Sequence, residues 1–418
     1  MLYGPAVYGV SAAAVALPAA TQGLRTDPAA AVWILAVHAL GLGIGAAVAG
    51  RATDIWGPRG VLSVGAALLT TGATVCALGS ALAVVVAGRG LLAAGSGAMT
   101  ATALALAAST PAPARPEVLA RLGMMMALFS ATAPLAGALA LAASWRVALV
   151  LPALSVAATP MCWTRTHSGQ RRGTGSVDWT GAFLLALVVV GLLLTVESAT
   201  VRISGPIVLA LVAITCAAAS LLAVHTTRHP TGFLPAAIVR NWRFWHCGLI
   251  GAGVYGGLFA AVYAVPQMLT RLGHSAETVG VLLLPGAVAG VLLARLAAAA
   301  SRRMPPRQVL TAVAVLFSAA VLLAAADRRP ATLIGAATAG FAAFAVAQMT
   351  LTAALAASTD TDARGAAVGV ANLLFFLGGA LGPATCAALW DPWGLPAAFA
   401  ATAALPTVAA LGAWHLRT

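Results

Sequence analysis

Lysine is missing altogether: all 23 basic residues are arginine, set against only 10 acids in 418 residues. Charged side chains make up 8% of the chain, where a soluble domain carries about 25%. That scarcity, with 61% hydrophobic residues and a mean hydropathy of +0.97, excludes a soluble globular fold and implies a polytopic, all-α membrane protein. The five cysteines, Cys76, Cys162, Cys216, Cys247 and Cys386, lie in or beside apolar segments. Their odd number and their spacing exclude a disulfide framework and a metal site. No Ser/His/Asp arrangement, HExxH or phosphate loop is present, and no polar stretch is long enough to fold alone. Neither an enzyme nor a cofactor is expected.

What the chain does contain is apolar runs. A span needs about 20 such residues, and the runs fall near 3–20, 30–50, 60–79, 82–107, 120–141, 145–163, 179–199, 205–225, 244–268, 277–300, 308–326, 331–356, 365–389 and 395–415. Fourteen transmembrane helices are therefore expected. The first run has no positive segment ahead of it, since the first basic residue is Arg25. It reads as span 1 with the short tail a late start codon would leave, not as a signal peptide. With the N-terminus inside, one set of loops and the tail hold Arg51, Arg59, Arg115, Arg121, Arg165, Arg171, Arg172, Arg228, Arg240, Arg243, Arg302, Arg303, Arg307, Arg364 and Arg417. The opposite loops hold Arg25, Arg146, Arg202, Arg271, Arg328 and Arg329. Fifteen against six is the bias of the positive-inside rule, placing both termini in the cytoplasm and the chain in the cell membrane. Topology thus explains the net charge of +13, and no nucleic acid is needed as a partner.

Weak repetition divides the chain further. Span 6 opens with Trp145-Arg146 and runs through Pro152 to Pro160, while span 14 opens with Trp393-Gly394 and runs through Pro396 to Pro406. On that hint residues 1–163 and 243–418 form two pseudo-symmetric six-helix bundles. Residues 164–242 form a connector, polar around His167, Gln170, Arg171 and Arg172, that carries an inserted pair, spans 7 and 8.

One short connection concentrates unusual chemistry: Gly50-Arg51-Ala52-Thr53-Asp54-Ile55-Trp56-Gly57-Pro58-Arg59. Gly50 permits close helix approach, Gly57 permits a turn conformation other residues resist, and Asp54 and Arg59 are placed to pair at the helix ends. The same residues also read as two positive-inside anchors around a turn. The pattern GxxxDxxGxR resembles the loop after the second span of the major facilitator superfamily. That likeness implies a latch, closed in one conformation and released in the other, built from Gly50, Asp54, Gly57 and Arg59.

Fourteen spans with an inserted pair resemble the drug:proton antiporter branch of that family, the multidrug and antiseptic exporters. Ala133-Pro134-Leu135-Ala136-Gly137-Ala138 is similar to its GPxxGG signature, which implies a kink at Pro134 and Gly137. Asp178-Trp179-Thr180-Gly181 resembles the start of its span 7, and Arg364-Gly365, Asn372 and Gly378-Gly379-Ala380-Leu381-Gly382 resemble its span 13. Two departures bear on mechanism. The branch's LDxTIVNVALP survives as Val15-Ala16-Leu17-Pro18, but its acid falls on Gly9 and its amide on Ala14. Its RxxQGxG survives as Arg89 and Gly95, with Leu92 in place of the amide.

Charges at membrane depth cost about 2.5–3.5 kcal/mol on insertion scales, which makes each a functional candidate. Arg89 either attracts a substrate anion or reports protonation of a nearby acid, or else snorkels to the outer interface. His38, mid-span 2, is either a proton carrier or a neutral packing residue. Glu197 and Arg295 read as interfacial groups, and Met124, Met125 and Met126 as gap-filling. Tyr255, Tyr263 and Gln267, within one broad helical face, join Gln348 and Asn372 as uncharged cavity candidates. They suit a neutral, zwitterionic or anionic amphiphile better than a lipophilic cation.

The expectation is a monomeric secondary transporter in the lipid bilayer that exports a small organic molecule or drug by proton antiport. An uncoupled facilitator and a lipid-handling or sensor protein on the same scaffold remain the alternatives.

Overall fold

A computed structural model describes residues 2–416 apart from 27, 32, 112, 167–176, 202–203, 301–302 and 361–362. His167, Gln170, Arg171, Arg172, Arg202, Arg302 and Arg417 therefore lie outside the described residues, as does the side chain of Glu197. Every long element among the described residues is helical, as hydrocarbon requires: with no water to bond exposed amides, each backbone must satisfy itself. The helices are α1 (Tyr8–Leu24), α2 (Trp33–Leu78), α3 (Leu82–Ala108), α4 (Arg115–Ala143) and α5 (Trp145–Thr164), the last containing a 3₁₀ stretch at Leu151–Ala158. After the connector come α6 (Trp179–Val201), α7 (Gly205–Arg228), α8 (Trp242–Arg271), α9 (Ala276–Leu282) and α10 (Pro285–Ala300). The chain closes with α11 (Pro306–Asp327), α12 (Pro330–Ser358), α13 (Arg364–Trp393) and α14 (Leu395–His415).

Twelve helices among the described residues are long and apolar enough to cross a membrane, which makes this a multi-pass membrane protein. The expected count of fourteen parts from that number at two places. Residues 33–78 run as one element of 46 residues, broken only at Gly57, whose φ of 78° and ψ of 166° are not helical. At 1.5 Å per residue the stretches before and after Gly57 extend about 36 and 32 Å, each close to a hydrocarbon core of about 30 Å, and both pack on α3, with Gly45 against Ala94 and Gly72 against Leu92. Residues 276–300 form two shorter helices, α9 and α10, parted at Leu283–Leu284 just before Pro285.

Small residues set how closely the helices pack. A Cβ on Gly45 of α2 would stand 2.7 Å from the carbonyl oxygen of Ala94 on α3, and one on Gly95 would stand 2.7 Å from the amide of Leu69. Lipid tails are as apolar as leucine, so contact between backbones supplies the association that hydrophobicity supplies in water. The same device joins α8 to α13, where a Cβ on Gly256 would lie 2.9 Å from Gly378 O and one on Gly382 would overlap Gly256 O. These two are the most enclosed helices, and α7 is the least. The helix α6 leans over the seam between α2 and α13, with Val189 and Leu193 closing an apolar recess lined by Gly43, Leu373, Phe376 and Leu377.

Replacing Gly382 by Ala should separate α8 from α13, and overpacking of this kind costs about 1–3 kcal/mol. Gly335→Ala, where a Cβ meets nothing within 4 Å, should be neutral or gain up to about 1 kcal/mol from helix propensity. Thermal unfolding followed by size-exclusion fluorescence checks both. Equal melting of the two variants contradicts the packing.

Candidate functional site

Apart from the buried Arg89 and its neighbour His38, polar groups come together inside the bundle at two places among the described residues. The first lies where α2 crosses the start of α13. Asp54, 4% exposed, accepts from Gly365 N through Oδ1 and from Ala366 N through Oδ2, each at 2.9 Å. A carboxylate thus caps a helix N-terminus more than 300 residues away, where orphan amides and the helix dipole favour negative charge. The caps are possible because the backbones nearly touch: a Cβ on Gly369 would stand 2.7 Å from Ala46 O, and one on Gly50 2.9 Å from Gly369 Cα. Thr53 turns its hydroxyl back to Ala49 O at 2.7 Å, and a recess beside the carboxylate is lined by Pro58, Ser109 and Arg364. Instead of meeting Asp54, Arg59 reaches Trp163 O at 3.2 Å and Thr166 Oγ1 at 3.4 Å, its guanidinium over the Trp163 ring. Gly57 supplies the positive φ that reverses the chain ahead of Pro58. Arg51 donates to Thr231 O at 2.7 Å.

The second place is the core of α8, α12 and α13. The Tyr255 hydroxyl donates to Gln348 Oε1, and Gln348 Nε2 donates to Thr352 Oγ1 at 3.1 Å. Around the Tyr255 ring stand Phe344, Phe375, Phe376 and Phe259, with centroids 4.7, 5.3, 5.7 and 6.4 Å away. Asn372 is 1% exposed; its Nδ2 bonds Val368 O at 2.9 Å while its Oδ1 has no partner. Tyr263 and Gln267 belong to another level of α8. Gln267 lies about 18 Å along the axis from Tyr255 at 1.5 Å per residue, and bonds Tyr263 O at 3.0 Å. The Tyr263 ring meets Trp390, over which Arg271 also lies.

The core adds a residue the sequence reading missed. Tyr3 is 1% exposed; its hydroxyl faces that of Tyr255 and lacks a partner of ordinary hydrogen-bond geometry. A signal for it exists in composition. All four tyrosines, Tyr3, Tyr8, Tyr255 and Tyr263, fall in the first and ninth expected spans, and Tyr8 bonds Thr132 Oγ1 at 3.0 Å.

Arg89 does not snorkel: it is wholly buried. Its guanidinium donates to Ile34 O at 3.1 Å, to Leu149 O at 2.7 Å and to Gly9 O, tying α3 to α2, α5 and α1. Beside it His38 is also wholly buried, neither ring nitrogen having a partner of ordinary hydrogen-bond geometry among the described residues, and its Nε2 occupies the place a Cβ on Gly9 would take. On α4, Pro134 lies inside an unbroken helix, and a Cβ on Gly137 would stand 2.5 Å from Ala12 O of α1. Arg295 is exposed, whereas Met124 and Met126 are buried.

The guanidinium reaches three carbonyls on three helices from N–H groups spread over a planar fork, whereas a lysine ammonium would have to reach them from one nitrogen. Arg89→Lys should therefore strand at least one buried carbonyl, costing about 1–3 kcal/mol, and should lower the yield of monodisperse protein and its melting temperature. Unchanged melting contradicts the role given to the fork.

No curated protein is significantly similar to the chain in sequence. Among solved structures, the human organic anion transporter MFSD10 (TETRAN) superposes with a TM-score of 0.66 at 17% identity, over 99% of this chain and 97% of that one. The proton:xylose symporter XylE, bound to 6-bromo-6-deoxy-D-glucose, superposes with a TM-score of 0.69 at 14% identity, over 100% and 94%. At such identities the likeness concerns the fold. The sequence itself matches the family model described as Major Facilitator Superfamily over residues 1–383 and again over 247–418, and the chain belongs to that superfamily of membrane transporters.

Proposed function

We propose that this protein is a fourteen-span exporter of a small organic molecule, working as a monomer in the cell membrane by alternating access and proton antiport. In this reading α2 counts as two spans joined at Gly57, and α9 with α10 as one. Residues 1–163 and 243–418 are the moving halves, α6 and α7 the inserted pair, and both termini are cytoplasmic. The observation that carries the proposal is the Asp54 cap on α13. A first-half carboxylate holding second-half amides is a contact that closes one end of the bundle and can be exchanged for water when that end opens. Gly50 and Gly57 shape this inner latch, and Arg59 fastens its outer flank to α5.

Tyr255, Gln348 and Asn372, with Tyr3, supply an uncharged polar surface within an aromatic collar. Such a surface favours a neutral, zwitterionic or anionic amphiphile; Tyr263 and Gln267 then line its path farther along α8. Within the first half, His38 is the proton carrier, and Arg89 the fixed cation beside it. Proton coupling has one rival with a specific observation behind it. Gly9 offers no carboxylate, and the bonds of Arg89 go to backbone carbonyls, which favours an uncoupled facilitator.

Everted vesicles with an imposed pH gradient separate the two. Neutral or anionic compounds should collapse the gradient more than cationic dyes do, whereas flux without collapse indicates the facilitator. Asp54→Asn removes two charge-assisted bonds worth about 1.5–3 kcal/mol each, and should cut flux about tenfold or more at a normal membrane level. Unimpaired flux rejects the latch.

A further inference from the structure

The carboxylate of Asp178 lies outside both polar clusters, yet among the described residues it is the most elaborately held of those the latch does not use. It stands just before α6 and caps it, with Oδ1 accepting from Gly181 N at 2.9 Å. Its Oδ2 accepts from Phe233 N at 3.1 Å and meets His225 Nε2, in the last turn of α7, at 2.7 Å. Glycine makes this cradle possible: a Cβ on Gly181 or on Gly232 would stand 2.6 or 2.7 Å from Oδ2. His229 stacks on the His225 ring at 4.5 Å. One side chain therefore fastens the start of α6, the end of α7 and the turn that follows.

That turn is compact, with Gly232 N donating to His229 O at 2.9 Å and Ala236 N to Pro230 O at 3.0 Å. From its tip the carbonyl of Thr231 accepts the guanidinium of Arg51 at 2.7 Å. Arg51 is the neighbour of Gly50, at the α2–α13 crossing, and lies three residues before Asp54. A pair of lipid-facing helices needs no such connection merely to stay in the membrane. Burial pushes the Asp178 carboxyl pKa up, but the amides of Gly181 and Phe233 and the His225 ring outweigh it, so the net shift is downward. With the folded value below the unfolded one, the clasp is fully present above the ordinary carboxylate range and is lost only as pH falls through the lowered pKa.

We propose that Asp178 is a positioning residue for the latch: by clasping α6, α7 and the 229–235 turn together, it holds Thr231 O where Arg51 binds it, so that closure of the α2–α13 end depends on the α6–α7 pair. The inference rests on the latch reading of Asp54. It gives the pair a mechanical part in the transport cycle, and it makes Arg51 the link between pair and latch.

The test measures closure itself. Spin labels at Glu117→Cys on α4 and Gln308→Cys on α11, both exposed, report the distance between the halves at this end in full-length protein lacking its native cysteines. Asp178→Ala and Arg51→Gln should each raise the long-distance population about threefold or more. The double variant should raise it no further than either alone, because both break one chain of contacts. Asp178→Asn should act like Asp178→Ala if charge and acceptor capacity matter, and Arg51→Gln tests the other end of the link should Asp178→Ala fail to fold. If Asp54→Asn opens this end while Asp178 and Arg51 variants do not, or if their effects simply add, the inference is overturned and the latch stands. If Asp54→Asn leaves the distance unchanged, the latch falls and the inference falls with it.

Discussion

Inside hydrocarbon a polar group finds its partner within the chain or goes without, and this constraint governs the first half of the protein through Arg89. The side chain is among the largest wholly buried ones in the molecule, and leaving a guanidinium there unpartnered would cost far more than one hydrogen bond contributes. Its partners are backbone carbonyls on α1, α2 and α5, groups that a helix ladder already occupies on one lone pair and leaves free on the other. Three helices are thereby fixed to a fourth at one point. With ten acids in the whole chain, carbonyl dipoles take the place that a carboxylate holds in a soluble core.

The proposed latch follows the opposite logic. Asp54 takes its bonds from the first amides of α13, which have no intrahelical acceptor and would bind water if released. A group that can be hydrated once exposed loses little on opening, unlike Arg89, whose release would empty a buried site. On the proposed latch, access to water on opening, more than bond number, would separate a fastening that endures from one that cycles. Close approach at Gly50, Gly365 and Gly369 supplies the shape, and the carboxylate supplies the directional, breakable part.

Much of the fold was legible because the bilayer imposes one length and one backbone solution on every span. The apolar runs predict fourteen spans, and twelve helices of membrane length stand among the described residues, the two counts parting at 33–78 and 276–300; the turn at Gly57 follows from Gly-Pro chemistry. Less legible were features that depend on where helices meet. Nothing local distinguishes Arg89 bound to carbonyls from an arginine that snorkels, since its acceptors are backbone atoms common to all sequences. Helical spacing grouped Tyr255 with Tyr263 and Gln267, but periodicity fixes a face and not a depth, and only Tyr255 meets Gln348. Tyr3 escaped notice because its setting is made by α8. Likewise Asp54 and Arg59 are close in sequence, yet each is claimed by a distant partner, which no loop pattern encodes.

His38 and Gly9 carry the argument one step on. They behave as a single choice, because the imidazole fills the space that any side chain at position 9 would enter. Neither ring nitrogen has a partner of ordinary hydrogen-bond geometry among the described residues, a cost of about 1–3 kcal/mol for each unmet buried polar group. A packing residue would incur that cost for no return, since a leucine could fill the same volume without it. In the proposed cycle a residue hydrated in the opposite conformation has a reason to retain it: the imidazole would be satisfied in a state that exposes α1 and α2 to water and unsatisfied in the one that buries them. On that proposal the cost in the closed form would favour reopening. In the proposed cycle His38 thus combines two tasks, carrying the proton and keeping the buried state from becoming a trap.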